Sequence, residues 1–168
     1  MSEHRVKILN TEFITPDVKR LTLEKPKGYT FIPGQATDVS IDEAEWRDHL
    51  RPFTFTSLTT SRTLELIIKI YRDHTGVTNR IGLMHEGEHL ILREPYGAIT
   101  YKGPGFFFAG GAGVTPFVAI LRDLHHKNQM RGNTLVCTNK TATDVILDEE
   151  FTKLLGKKFL KIFTRQHV

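Results

Sequence analysis

The chain has 168 residues, of which 39% are hydrophobic and 25% charged. That balance fits one ordinary globular domain or two small ones, and it excludes the disordered and collagenous classes. Its 23 basic and 19 acidic residues leave a net charge of +4, too mild and scattered for a nucleic-acid surface but compatible with an anionic cofactor or an acidic protein partner. The single cysteine, Cys137, excludes a disulfide framework, a cysteine zinc site and an iron–sulfur cluster held by one chain. No apolar run approaches the ~20 residues of a membrane span. The start, Met1 to Arg5, lacks the apolar core of a signal peptide. Together these lead to the expectation of a cytoplasmic protein. The densest basic stretch, Lys153 to Arg165, follows Asp148, Glu149 and Glu150 and reads as a solvated face.

The first hundred residues read as β. Arg5 to Thr15 alternates weakly up to Pro16. Val18 to Glu24 sets Leu21 and Leu23 against Arg20, Thr22 and Glu24. Phe31 to Gln35 holds a Pro-Gly turn, and Ala36 to Ile41 follows as a strand. Pro52 to Ser57 is short and rich in aromatic and β-branched residues. Thr63 to Tyr71 is the clearest strand, with Leu64, Leu66, Ile68 and Ile70 on one face and Glu65 and Lys69 on the other. A short helix is expected from Gly76 to Met84, with Val77, Ile81 and Met84 at helical spacing. Glu88 to Arg93 is a sixth strand. Short strands separated by turns predict a barrel or sandwich.

After Gly97 the pattern changes. Phe106 to Ala109 is a continuous apolar run, as in a buried parallel strand. A glycine cluster and a helix follow; Phe117, Ile120, Leu121 and Leu124 share one helical face. Thr134 to Thr138 and Phe159 to Phe163 read as further buried strands, with a helix from Asp148 to Leu155 between them. Strands followed by βαβαβ predict two domains, 1–99 and 100–168. Only three parallel strands fit between Gly105 and Val168, half of a doubly wound sheet. The second domain is therefore expected to be unusually small or a piece of a longer one.

Three segments point to chemistry. Gly110-Gly111-Ala112-Gly113-Val114-Thr115-Pro116 lies between a buried strand and an amphipathic helix. Glycines there let backbone N–H groups approach a phosphate, and the helix start adds the positive end of its dipole; a plain tight turn is the alternative. Thr115 is the expected N-cap and Pro116 suits the first turn. Arg51-Pro52-Phe53-Thr54 combines a forked donor for phosphate, an aromatic face for a flat ring and a hydroxyl; an ordinary half-buried strand is the alternative. Asp73 to Asn79 opens a helix with free N–H groups and Thr hydroxyls, as either a phosphate site or a simple cap. His85 and His89 have Gly87 between them, and His125 and His126 are adjacent, so neither pair makes a metal face on a helix.

In this order the segments resemble the ferredoxin–NADP reductase superfamily, and within it the small bacterial flavodoxin and flavin reductases. Pro33-Gly34-Gln35 looks like its Pro-Gly-Gln turn and Arg51-Pro52-Phe53-Thr54 like its flavin motif, with Phe53 where Tyr is commoner. Gly76-Val77-Thr78 looks like its second phosphate motif, Pro95-Tyr96-Gly97 like its barrel-closing turn, and Gly110 to Pro116 like its nicotinamide-side loop. The resemblance covers about residues 5–165; the family's closing Cys-Gly turn has no counterpart before Val168.

The resemblance implies an antiparallel six-stranded FAD-binding barrel followed by part of an α/β nucleotide-binding domain. Arg51 would hold the FAD pyrophosphate, with Pro52 beside it, Phe53 would stack on the flavin, and Thr54 would act at flavin N5. Gly76, Val77 and Thr78 would bind the pyrophosphate. Ile68, Lys69 and Tyr71 would line the flavin, Tyr71 towards its adenine end. Gly110, Gly111, Gly113 and Thr115 would bracket NADPH or NADH, and Thr164 and Arg165 would read a 2′-phosphate, with Asn139, Lys140 and Thr141 nearby. The implied activity is electron transfer from NAD(P)H through FAD to a carrier such as flavodoxin or ferredoxin. A non-catalytic flavin-binding or docking module and the reductase component of a multi-component oxygenase are the alternatives.

Overall fold

The structure is a computed structural model that describes residues 2–165. Strands β1 (His4–Thr15), β2 (Val18–Glu24), β3 (Ala36–Ile41), β4 (Arg51–Thr54), β5 (Thr63–Lys69) and β6 (His89–Leu92) form one antiparallel sheet. The spatial order is β4-β3-β6-β1-β2-β5. A bridge between Phe55 and Leu66 joins the chain just past β4 to β5 and closes the sheet into a barrel. The alternating residues supply its core: Leu21, Leu23, Val39, Ile41, Leu64, Leu66, Ile68, Leu90 and Leu92 are all buried in one cluster. Phe31 stacks on Phe55 within it, ring centroids 4.4 Å apart.

Four elements are shorter than the sequence predicts: β5 and β6 each lose two residues at their ends, and the other two stop for a visible reason. The strand expected over 52–57 leaves β3 after Thr54, because the chain must cross there to β5, where the Thr56 N–H reaches the Glu65 carbonyl at 3.0 Å. The helix expected over 76–84 is α1 (Val77–Gly82). Its last carbonyls turn to the buried ammonium of Lys19, which donates to Ile81, Gly82 and Met84 at 3.3, 3.0 and 2.6 Å. A cation at a helix C-terminus satisfies groups that have no intrahelical donor. Burial holds the Lys19 pKa below its ordinary value, and the nearby Glu88 carboxylate opposes that shift.

The second layer is a parallel sheet in the order β7-β8-β9: β7 (Phe106–Gly110), β8 (Thr134–Asn139) and β9 (Phe159–Phe163). The crossover helices α2 (Thr115–His126) and α3 (Asp148–Leu155) pack on one face, where Val118, Leu121, Leu124 and Phe151 meet Ala109, Leu135, Cys137 and Phe159. The barrel contributes Val18 and Ile67 to the same cluster. Ile67 therefore breaks the apolar–polar alternation of β5 for a reason: its outer face is covered. The sequence reading of β7 as fully buried is corrected. Phe107 and Ala109 face the helices, but Phe106 and Phe108 are 69% and 70% exposed, because both helices lie on the opposite side. Leu160 and Ile162 of β9 extend the same bare face.

Helix α2 is wedged between sheet and barrel. The Gln35 N–H returns to the Ile32 carbonyl at 3.0 Å, a four-residue turn with Pro33 and Gly34 at its centre. Gly34 has φ +100°, a conformation that suits glycine at this place in a turn. A Cβ on Gly34 would lie 2.2 Å from the Ile99 carbonyl oxygen and 3.2 Å from Ile120 Cδ1 of α2. Backbone thus touches backbone where the layers meet. Gly34→Ala is expected to lower stability by roughly 2–4 kcal/mol, combining backbone strain with overpacking. A urea-unfolding midpoint equal to that of the unaltered chain would refute this.

Candidate functional site

A cavity of about 650 Å³ opens at the carboxyl ends of β7, β8 and β9. Open α/β sheets bind their ligands at this edge, since strands end there and helices begin. Gly110, Gly111 and Gly113 form one wall. Space is open where a Cβ would stand on Gly111 or Gly113, and Gly110 has only Thr138 Oγ1 at 3.4 Å. The loop backbone therefore faces the cavity uncovered, as a phosphate cradle requires. The opposite wall comes from the barrel: Asp17 and Val18 at the β1–β2 turn, and Lys69 and Tyr71 at the end of β5. Lys69 Nζ lies 3.2 Å from an Asp17 carboxylate oxygen and 5.9 Å from the Tyr71 ring centroid.

The third wall pairs two segments that are distant in sequence. The Thr164 and Arg165 N–H groups bond the Asn139 and Lys140 carbonyls, each at 3.0 Å. This places Thr164-Arg165 beside Asn139-Lys140-Thr141, and all five residues line the cavity. The Asp144 carboxylate accepts from the Thr141 N–H at 2.9 Å and the Thr141 hydroxyl at 2.7 Å. The hydroxyl hydrogen bond is the main cause holding its pKa below the ordinary carboxylate value. Asp17, Thr138, Thr143, Asp144 and Ile146 also line the cavity and were not anticipated. They lie in turns and strand ends with no motif of their own.

Thr115 does not line this cavity, and its expected role as N-cap is corrected. Gly111–Val114 form a turn of 3₁₀-helix that runs directly into α2, so Val114 already has helical dihedrals and Thr115 is the first helical residue. The Thr115 hydroxyl donates to the Ala112 carbonyl at 3.0 Å and is spent within the loop.

Arg51, Pro52, Phe53 and Thr54 lie elsewhere, on β4. It is an edge of the six-stranded sheet, so half of its backbone polar groups have no strand partner, and a proline is tolerated. Arg51 is exposed. Its guanidinium donates to the Leu50 carbonyl at 2.7 Å and meets no carboxylate among the described residues, whereas Arg5, Arg20, Arg47, Arg80, Arg93 and Arg122 are all ion-paired. Phe53 is half-buried against the barrel core, and Thr54 is half-buried beside it. The strip thus offers an unpaired forked donor, a partly open aromatic ring and a hydroxyl. Gly76 has open space at its Cβ position. Val77 is buried, so it offers backbone only, and Thr78 is half-buried. Ile68, expected as a lining residue, has its side chain 1% exposed within the barrel core, so it offers backbone only. Lys69 and Tyr71, expected to line the flavin, line the cavity that the glycine loop also borders.

Two family models match the chain. The oxidoreductase FAD-binding domain matches residues 5–101 and the oxidoreductase NAD-binding domain residues 107–166. The chain belongs to the ferredoxin–NADP reductase-like superfamily, with an FAD-binding domain followed by an NAD-binding domain. It is 29% identical over 160 residues to the reductase component of propane 2-monooxygenase from Rhodococcus jostii, covering 89% of this chain and 42% of that protein. It is 28% identical over 154 residues to NADH-cytochrome b5 reductase 2 of Mycosarcoma maydis, covering 84% and 44%. The chain thus spans less than half the length of these curated relatives. In fold it is similar to a ferredoxin NADP+ reductase from Neisseria gonorrhoeae, solved with bound FAD and NADP; the TM-score is 0.85 at 19% identity, covering 100% of this chain and 71% of that one.

Cys137 sits on β8 under α2 and is buried. Burial pushes its thiol pKa up to about 11. Its folded pKa is raised above the unfolded value of ~8.5, so the stability it contributes is present below that pH and fades as pH rises toward 11. At pH 8 a thiol-exchange reagent should leave the native chain unmodified and label one thiol in urea. Rapid labelling of the native chain would contradict the burial of β8.

Proposed function

We propose that this chain is the FAD-binding and NAD(P)-binding part of an oxidoreductase that takes electrons from NADPH or NADH, with residues 1–99 as the flavin domain and 100–168 as the nicotinamide-nucleotide domain. The observation that carries this reading is the cavity in which Lys69 and Tyr71 of the barrel face Gly110, Gly111 and Gly113 of the parallel sheet. Bound FAD supplies an acceptor for hydride from reduced nicotinamide and a store from which electrons leave singly.

The chain's own residues bind and orient. Arg51, free of any carboxylate among the described residues, is suited to hold the diphosphate in forked geometry. Phe53 offers a ring face on which a flat ring system stacks, with Pro52 keeping the edge strand beside it rigid. The Thr54 hydroxyl, next to that ring, is the candidate to hydrogen-bond at the reacting end of the flavin. Gly76, Val77 and Thr78 add backbone N–H groups and a hydroxyl. On the other side, the uncovered backbone of Gly110–Gly113 suits the nucleotide phosphates, with Thr115 bracing that loop through Ala112. Lys69 adds a positive charge to the same cavity. Thr164 and Arg165, beside Lys140, are the candidates to read a 2′-phosphate and so to favour NADPH. Ile68 offers its backbone and packs the strand that carries Lys69.

An acidic one-electron carrier such as flavodoxin or ferredoxin is the acceptor we favour, in keeping with the net positive charge. Similarity to a propane monooxygenase reductase component favours a second reading, in which an oxygenase is the partner. Among the described residues no helix is long and apolar enough to cross a membrane; a cytoplasmic setting belongs to this proposal.

The purified chain should bind FAD and turn yellow, with FAD held more tightly than FMN. Arg51→Ala should weaken FAD binding by ~1.5–3 kcal/mol, the usual worth of a hydrogen bond to a charged group. A fluorescence titration showing unchanged affinity would remove Arg51 from the site, and tighter binding of FMN would remove the dinucleotide reading. Arg165→Ala should raise the KM for NADPH by about tenfold and leave that for NADH near its starting value, reflecting one lost charge-assisted bond. Equal effects on both coenzymes would exclude a phosphate-reading role.

A further inference from the structure

One guanidinium joins the two layers. Arg122, on the second half of α2, donates from Nε and Nη2 to the two carboxylate oxygens of Glu150 on α3, at 2.6 and 2.8 Å. Its Nη1 donates to Glu65 Oε1 on β5 at 2.6 Å and to the Thr56 carbonyl at 2.8 Å. The same Glu65 oxygen accepts the Thr56 hydroxyl at 2.7 Å. The Glu65 N–H donates to the Ser57 hydroxyl at 3.1 Å. These bonds fall on the barrel seam, one residue beyond the Phe55–Leu66 bridge and two beyond the end of β4.

The placement matters because of what each end of the clamp carries. Arg122 lies two helical turns, about 10 Å along the axis, from the glycine loop that precedes α2. Thr56 lies two residues from Thr54. The clamp therefore ties the element bearing the nicotinamide-side loop to the strand bearing the flavin-side strip. Apolar contacts of Val18 and Ile67 hold the layers together, but such contacts permit sliding and rotation. A planar guanidinium with all three nitrogens engaged does not. Gly34 against Ile120 supplies a second, steric stop on the same helix.

We propose that Arg122 is a positioning residue: it sets the glycine loop of α2 against β4 and thereby aligns a bound nicotinamide nucleotide with the flavin. This rests on the flavin-and-nicotinamide reading given above. Neither Glu65 nor Glu150 alone suffices, since one fixes α2 to the barrel and the other fixes α2 to α3.

Two measurements test it, the first without any cofactor. Spin labels on Glu86→Cys in the barrel and His126→Cys on α2 report the relative placement of the layers by pulsed electron paramagnetic resonance; Cys137, being buried, stays unlabelled. One narrow distance is expected with Arg122 intact. Arg122→Met should broaden or shift it, and Arg122→Lys, which keeps the charge but loses the fork, should fall between. Identical distributions in all three would overturn the proposal. In the second measurement, the FAD-loaded chain is mixed with NADPH or NADH in stopped flow. The limiting rate of flavin reduction should fall about 10–100-fold in Arg122→Met, the scale of a misalignment near 1 Å, with FAD affinity and KM within twofold of the starting values. Glu65→Gln, a milder change for folding, should move the rate in the same direction. An unchanged rate, or a loss that simply tracks weaker FAD retention, would overturn the role. Should the unaltered chain take up no FAD, the functional reading fails, and the spin-label distances still decide whether Arg122 sets the alignment of the layers.

Discussion

A charge held between two layers governs how this molecule is put together. Burial works against the positive charge of Arg122, yet the carboxylates of Glu150 and Glu65 outweigh it and hold the guanidinium pKa above its ordinary value. Breaking a fully buried pair of this kind costs ~3–5 kcal/mol, because a charge is left without its partner. Here the three side chains retain 17%, 18% and 31% exposure, so solvent screening reduces that figure. The greater effect is geometric. Hydrophobic burial of Ile67 and Val18 brings α2 to the barrel, and the forked hydrogen bonds, with the close approach of Gly34 to Ile120, add direction.

With the layers so fixed, the site follows from topology. Parallel strands end together, so β7, β8 and β9 deliver their carboxyl-terminal loops to one edge. The barrel brings the end of β5 and the β1–β2 turn to the same place, and a cavity forms between them. The β4 strip stands apart because it is an edge strand whose outer side no other strand covers. Lys19 plays a supporting part, anchoring the C-terminal carbonyls of the short helix that begins after Gly76. The segments matching the FAD-binding and NAD-binding domains therefore lie in different layers, which meet at the seam.

The bare face of the parallel sheet is the other consequence of this topology. α2 and α3 cover one side only, leaving Phe106, Phe108, Leu160 and Ile162 open to solvent. Parallel sheets are ordinarily covered on both faces, and an apolar patch of this kind is an association hazard for the isolated chain. The sequence pattern of β7, four apolar residues in a row, is that of a strand suited to burial on both sides.

Much of the fold was legible in the sequence because side-chain periodicity encodes it directly. Alternation in β2 and β5 located the barrel core, and the apolar run, glycine cluster and amphipathic helix announced the βαβ layer. The ordered motifs pointed to FAD and NAD binding domains, in agreement with the family matches. Periodicity says nothing, however, about which outer face meets which neighbour. That the outer face of Ile67 is covered, that Lys69 and Tyr71 face the glycine loop and that the Ile68 side chain lies in the core could not be read from it, since a strand's two faces are distinguished only once the layers are docked. Arg122, Glu65 and Glu150 carry no local motif at all: they stand 57 and 28 residues apart, and their meaning arises from proximity. What the chain order determined by itself was the sequence of elements and the chemistry each carries; what only tertiary packing decided was their mutual placement, because ion pairs and cavities are made between segments that no spacing along the chain connects.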